Sequence, residues 1–79
     1  MSMRRAGEHN GNKYRCWLEA GQHGYRGWFR GTVDFEIGEE NLVDRLQGST
    51  EWFEDKESAL DDAESRMKAR FDEVLADIA

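Results

Sequence analysis

Tyr14-Arg15-Cys16-Trp17-Leu18-Glu19 and Tyr25-Arg26-Gly27-Trp28-Phe29-Arg30-Gly31-Thr32-Val33 flank the tetrapeptide Gly21-Gln22-His23-Gly24. Two runs rich in aromatic and apolar residues around a short glycine-bearing loop predict a β-hairpin over 13–20 and 25–37. Side chains along a strand alternate between the two faces of a sheet. One face then carries Tyr14, Cys16, Leu18, Tyr25, Phe29 and Val33, which is a core face. The other carries Arg15, Trp17, Glu19, Arg26, Trp28 and Arg30. With 21–24 as the loop the register follows. Ala20 faces Tyr25, Glu19 faces Arg26, Leu18 faces Gly27, Trp17 faces Trp28, Cys16 faces Phe29 and Arg15 faces Arg30. Glu19 with Arg26 and Trp17 with Trp28 are favourable cross-strand pairs. Arg15 with Arg30 is a like-charge pair, partly offset where the guanidinium groups stack on the tryptophans. Gly27 and Gly31 sit on the core face, where glycine lets a helix come close or an aromatic cover the gap.

The same alternation continues through Asp34-Phe35-Glu36-Ile37, and Gly38 ends it. Leu42, Val43 and Leu46 have helical spacing, so residues 39–47 read as a short helical turn or ordered loop between strands two and three. Residues 49–53 read as the third strand. If Phe53 points to the core, Trp52 points outward, toward Trp17 and Trp28. Residues 1–12 hold Gly7, Asn10, Gly11 and Asn12 and show no apolar periodicity. They read as a disordered N-terminal tail, with 13–79 as a single small α+β domain.

A long helix follows the third strand. Asp55 suits the N-cap and Glu57 the first turn. Leu60, Ala63, Met67, Phe71, Val74, Leu75 and Ile78 recur at three- and four-residue spacing as one apolar stripe. Asp62 with Arg66 and Glu64 with Lys68 are acid-before-base pairs at i,i+4. A helix from about residue 55 to about 78 is roughly 36 Å long at 1.5 Å per residue. It would overhang the sheet and leave Phe71, Val74, Leu75 and Ile78 for a partner helix or a second copy.

Seventy-nine residues make room for one small domain. The single cysteine, Cys16, excludes an intramolecular disulfide and a multi-cysteine zinc site. It is compatible with a reducing cytosol. No apolar run approaches a membrane span. Arg4 and Arg5 are followed by no apolar stretch, so no secretory signal is expected, and the expected location is cytoplasmic. The net charge of −6 is unevenly divided: residues 1–31 hold six Lys/Arg against two Asp/Glu, and residues 32–79 hold five against fifteen. The basic first part steers partners locally, while the acidic total argues against strong nonspecific nucleic-acid binding.

Arg15, Trp17, Arg26, Trp28, Arg30 and Trp52 form the candidate binding face. Tryptophan and arginine dominate the energetics of protein interfaces. Both also stack on bases, and arginine binds phosphate or reads guanine edges. The plainer alternative is a cross-strand aromatic pair shielded by arginine stems. His9 falls in the expected tail and His23 in the hairpin loop, at no metal-ligand spacing. Cys16 falls on the core face as a small hydrophobe, without a base to activate it. The acidic run at Asp61, Asp62 and Glu64 lacks the alternating oxygen ligands and glycine of a calcium loop. No phosphate-binding glycine loop occurs, so an enzyme is not expected, and no cofactor or metal.

Three strands and a long helix, with Tyr25-Arg26-Gly27, Trp28 and Arg30 on the sheet and Phe53 before a helix holding Ala59 and Ala63, resemble the plant AP2-type DNA-binding domain. The N-terminal domains of some phage-type integrases are similar in plan. The likeness spans roughly residues 13–75. It implies DNA binding through sheet arginines and tryptophans, here Arg26, Trp28 and Arg30, in the major groove. The Tyr-Arg-Gly triplet opens the second strand here, whereas the family carries it on the first.

The sequence thus predicts an α+β domain of order β-β-β-α, a three-stranded antiparallel sheet packed by one long C-terminal helix. The expected function is a small non-enzymatic protein-binding module using the Arg/Trp face or the C-terminal helix. The alternative is nucleic-acid binding, DNA first, through the same face. A monomer or a weak homodimer through Phe71, Val74 and Ile78 is expected, with no membrane partner.

Overall fold

The computed structural model describes residues 4–78, and the side chain of Ile78 lies outside the described residues. Four strands and one helix follow in order: β1 (Arg4–His9), β2 (Asn12–Gly21), β3 (Gly24–Ile37), β4 (Glu40–Phe53) and α1 (Lys56–Ile78). The strands form one antiparallel meander, β1-β2-β3-β4, with α1 lying mainly over β3 and β4. The α+β class and the closing helix are as expected, but the sheet has four strands rather than three.

The β2–β3 register is the one the loop implied, from Arg15 opposite Arg30 to Ala20 opposite Tyr25. The fourth strand is β1. Residues 4–9, expected to be part of a tail, pair along β2 from Arg4 opposite Trp17 to His9 opposite Asn12. Asn10 and Gly11 close this hairpin at φ 51° and 83°. Two consecutive left-handed residues make the tight turn whose twist matches the strands, and Asn-Gly is its preferred pair.

Residues 40–48, part of the expected helical turn, are extended instead. They pair with β3 from Ile37 opposite Glu40 to Phe29 opposite Gly48. Gly38 takes φ 65° at the first position of a two-residue turn, which folds β4 straight back on β3. Leu42 and Val43 thereby fall on opposite faces, and Leu46 is buried.

The core lies between the sheet and α1. Tyr14, Cys16, Phe29, Val33 and Leu46 meet Leu60, Ala63, Met67 and Phe71, with Leu18, Phe35, Val74 and Leu75 packed at its margin. Gly27 admits the helix: a Cβ there would meet the Ala59 carbonyl and stand 2.8 Å from the Ala63 Cβ. At Gly31 an aromatic fills the space, since a Cβ would stand 2.5 Å from the Phe71 ring. Phe71 is fully buried. The expected helix overhang therefore does not carry it, and the expected homodimer contact loses its central residue.

Asp55 caps α1, its Oδ2 accepting from the Ser58 N–H at 2.9 Å. That hydrogen bond holds the Asp55 carboxyl below its ordinary value. Arg66 donates to Asp62 at 2.7 Å. Glu64 turns away from Lys68 and instead accepts from the Tyr14 hydroxyl at 2.6 Å and from Arg5 at 3.4 Å. Arg5 also pairs with Asp61, and His9 Nε2 lies 2.8 Å from Asp72 Oδ1. These contacts tie edge strand β1 to the helix. Its polar sequence, Arg4-Arg5-Ala6-Gly7-Glu8-His9, could not be held there by apolar packing alone.

Candidate functional site

The face of the sheet opposite α1 is left open. It carries Arg15, Trp17 and Glu19 from β2, and Arg26, Trp28, Arg30, Thr32, Asp34 and Glu36 from β3, by the alternation that sends Cys16, Gly27 and Phe29 to the helix. All six candidate residues lie on this face, Trp52 included. Trp17 stands directly across from Trp28, and Trp52 directly across from Arg26.

Trp52 reaches this face through a β-bulge. Trp28 pairs with Ser49 and Arg26 with Trp52, so Gly27 alone opposes both Thr50 and Glu51. The extra residue reverses the side-chain phase of β4. The Gly27 N–H that loses its ladder partner donates to the Thr50 hydroxyl at 3.0 Å, and that hydroxyl donates to the Glu51 carbonyl at 2.6 Å. Thr50 is buried for this reason.

The tryptophans are held by their neighbours. The Arg26 guanidinium lies 4.4 Å from the Trp52 ring centroid, a cation–π stack. The far side of that indole reaches over Gly21, where a Cβ would stand 2.5 Å from the ring. Even so, Trp52 remains 45% exposed. Trp28 donates its indole N–H to Glu19 at 2.9 Å, and both Trp17 and Trp28 are half-buried. The Arg26 Nε is buried without a hydrogen-bond partner.

The open face is more basic than the six residues alone. Arg4 stands across from Trp17, and Arg45 across from Thr32. Lys13 joins them across from Glu8. Arg4 was missed because β1 was missed, and Arg45 because 39–47 read as a turn. The signals that could have found them are Asn10-Gly11 and Gly38-Glu39 as tight-turn pairs. Among the described residues no ion pair engages Arg4, Lys13, Arg15, Arg26, Arg30 or Arg45.

The remaining chemistry-bearing groups lie elsewhere. Cys16 is buried on the helix side, and burial pushes its thiol up to about 11. His23 sits in the β2–β3 loop. Among the described residues no three of His, Cys, Asp and Glu are placed to hold a metal ion, and no helix is long and apolar enough to cross a membrane. No family model matches the chain, no curated protein is similar to it, and no solved structure matches it.

Proposed function

We propose that the protein is a non-enzymatic recognition module that binds an acidic protein segment on the open face of its sheet. The observation that carries this reading is the gathering of Trp17, Trp28 and Trp52 with Arg4, Arg15, Arg26 and Arg30 on the one face α1 leaves uncovered. Buried aromatic and arginine anchors are what protein interfaces spend most of their binding energy on. Guanidinium groups without an acidic partner of their own are free to take carboxylates from another chain.

A nucleic-acid strand on the same face, DNA first, is the second reading. It is favoured by the interleaving of arginines with stacking rings and by the likeness to the AP2-type sheet. Glu8, Glu19, Asp34 and Glu36 weigh against it, because they stand on the same face and would meet a phosphate backbone. The net charge of −6 weighs the same way.

The test follows the three tryptophan indole signals by NMR at low salt, with four probes added in turn: a short peptide of alternating Glu and Leu, duplex DNA, single-stranded DNA and RNA. Selective shifts of Trp17, Trp28 and Trp52 with the peptide, reversed by salt and absent in Arg30→Ala, are expected. Shifts with nucleic acid alone would move the assignment to the second reading. An unchanged spectrum in every arm, from a chain that is monomeric under those conditions, would overturn both.

A further inference from the structure

The outward row of β3 reads Arg26, Trp28, Arg30, Thr32, Asp34, Glu36: basic and aromatic at one end, acidic at the other, with an uncharged residue between. The neighbouring strands leave the acidic end without a base, Val43 lying across from Asp34 and Asn41 across from Glu36, while Arg15 lies across from Arg30, Glu19 across from Arg26 and Arg45 across from Thr32. Of the acids between residues 34 and 44, Asp34 and Glu36 stand on this face, whereas Glu40 and Asp44, across from Ile37 and Val33, stand on the helix side. One surface thus holds both halves of a complementary pattern.

We propose that the acidic partner of the open face is a second copy of this chain, packed sheet against sheet about a two-fold axis. The inference rests on the proposed use of that face. An axis lying between the two sheets, across β3 near Thr32, reverses the strand direction of the second copy. Arg30 of each chain then lies over Asp34 of the other and Trp28 over Glu36, with Arg26 just beyond. The pattern is satisfied twice, as a two-fold interface requires.

Three further features fit this occupant. β2 pairs with β3 only between Gly24 and Gly31, so β3 from Thr32 onward pairs with β4 alone. A two-stranded ribbon is marginal by itself in water, and the second sheet would cover its outer side. Val43, 63% exposed, and Trp52, 45% exposed, are the large apolar residues left open on this face. They stand toward opposite ends of it, so the two-fold brings the Val43 end of one copy toward the tryptophan end of the other. β3 and β4 run 14 residues each, so the two copies would overlap in a strip two strands wide along the whole of β3.

Sedimentation equilibrium of the full chain tests this. A dimer is expected at low salt, dissociating as salt rises. Arg30→Glu and the double variant Asp34→Arg/Glu36→Arg should each be monomeric while keeping the wild-type circular dichroism, and should melt with no dependence on protein concentration. Mixed in equal amounts they should form a dimer with one chain of each, because the reversed position 30 of one faces the reversed position 34 of the other, and Asp34 and Glu36 of the first face the unchanged arginines of the second. A wild type that stays monomeric at low salt, or charge-reversed variants that still dimerise alone, would overturn the self-pairing. A monomer whose indole signals still shift with the Glu/Leu peptide would sink this inference and leave the acidic-partner reading standing. A monomer that responds to neither peptide nor nucleic acid would sink both.

Discussion

The two faces of the sheet come from the same strands, one residue apart, and differ in what closes them. Toward α1 the spaces are fitted. Gly27 meets the helix backbone, Phe71 covers Gly31, and Glu64 takes the Tyr14 hydroxyl and Arg5. On the outer face Arg15 confronts Arg30, Trp52 is 45% exposed, and the arginines have no ion-pair partner among the described residues. The difference separates two roles. Residues of the covered face should matter for stability, and those of the open face for binding, even where they are neighbours in sequence.

The largest effect should come from the centre of the covered face. Phe71→Ala removes a fully buried ring and should cost about 3–5 kcal/mol. That approaches the whole stability of a small domain, so urea titration should find the variant largely unfolded in buffer. Gly27→Val should come next. Its side chain would drive into the Ala59 carbonyl and Ala63 and lift the helix, costing about 1–3 kcal/mol in the same assay. If this variant matched the wild type, the close approach of α1 would not be what holds the covered face.

Smaller effects should appear with pH. Burial, and then the hydrogen bond to Glu64, push the Tyr14 hydroxyl from 10.0 up to about 12. Burial pushes the Cys16 thiol from 9.0 up to about 11. In both cases the fold favours the protonated form. The stability they lend is full below pH 9 and falls away as pH rises from 9 through 12. Tyr14→Phe should remove the upper part of this decline and cost about 1 kcal/mol at neutral pH, because the hydrogen bond to Glu64 is lost. On the acid side Asp55 contributes the opposite slope. Its carboxylate is favoured in the fold, so its stabilisation is present above 3.8 and is lost as pH falls through the lower folded value. Asp55→Ala should flatten that limb in thermal melts.

The smallest stability change should be on the open face. Arg15→Ala removes an exposed residue facing a like charge and should stay within about 0.5 kcal/mol of the wild type. It should nevertheless weaken capture of the acidic peptide. A loss of stability as large as that of Gly27→Val would erase the distinction between the faces.

The parts legible in the sequence were those whose cause is local. The loop at Gly21–Gly24 and the alternation beside it give the β2–β3 register, and Asp55 with the stripe from Leu60 to Leu75 gives α1. β1 was hidden because Arg4–His9 has almost no apolar residue. It is held by Arg5 and His9 reaching acids of α1 far along the chain, and by the Tyr14 ring lying over Gly7. The strand at 40–48 was hidden because Leu42, Val43 and Leu46 fit a helical period equally well. Pairing with β3 settles the choice, and a third strand's worth of hydrogen bonds is not written into that spacing.

The sequence by itself determined that an aromatic, arginine-bearing face exists, because a period of two forces Trp17 and Trp28 to the side away from Cys16 and Phe29. It also determined the helix and its cap, which depend on residues within a few positions of one another. Only the tertiary structure decided how far that face extends. Counting by twos from buried Leu46 sends Gly48, Thr50 and then Trp52 to the helix side. The bulge opposite Gly27 reverses the count, with Thr50 satisfying the freed N–H, and Trp52 emerges beside Arg26. A bulge is a property of two paired strands, so one strand's sequence does not contain it. Arg4 and Arg45 join the face for the same reason, through partners that only the folded sheet supplies.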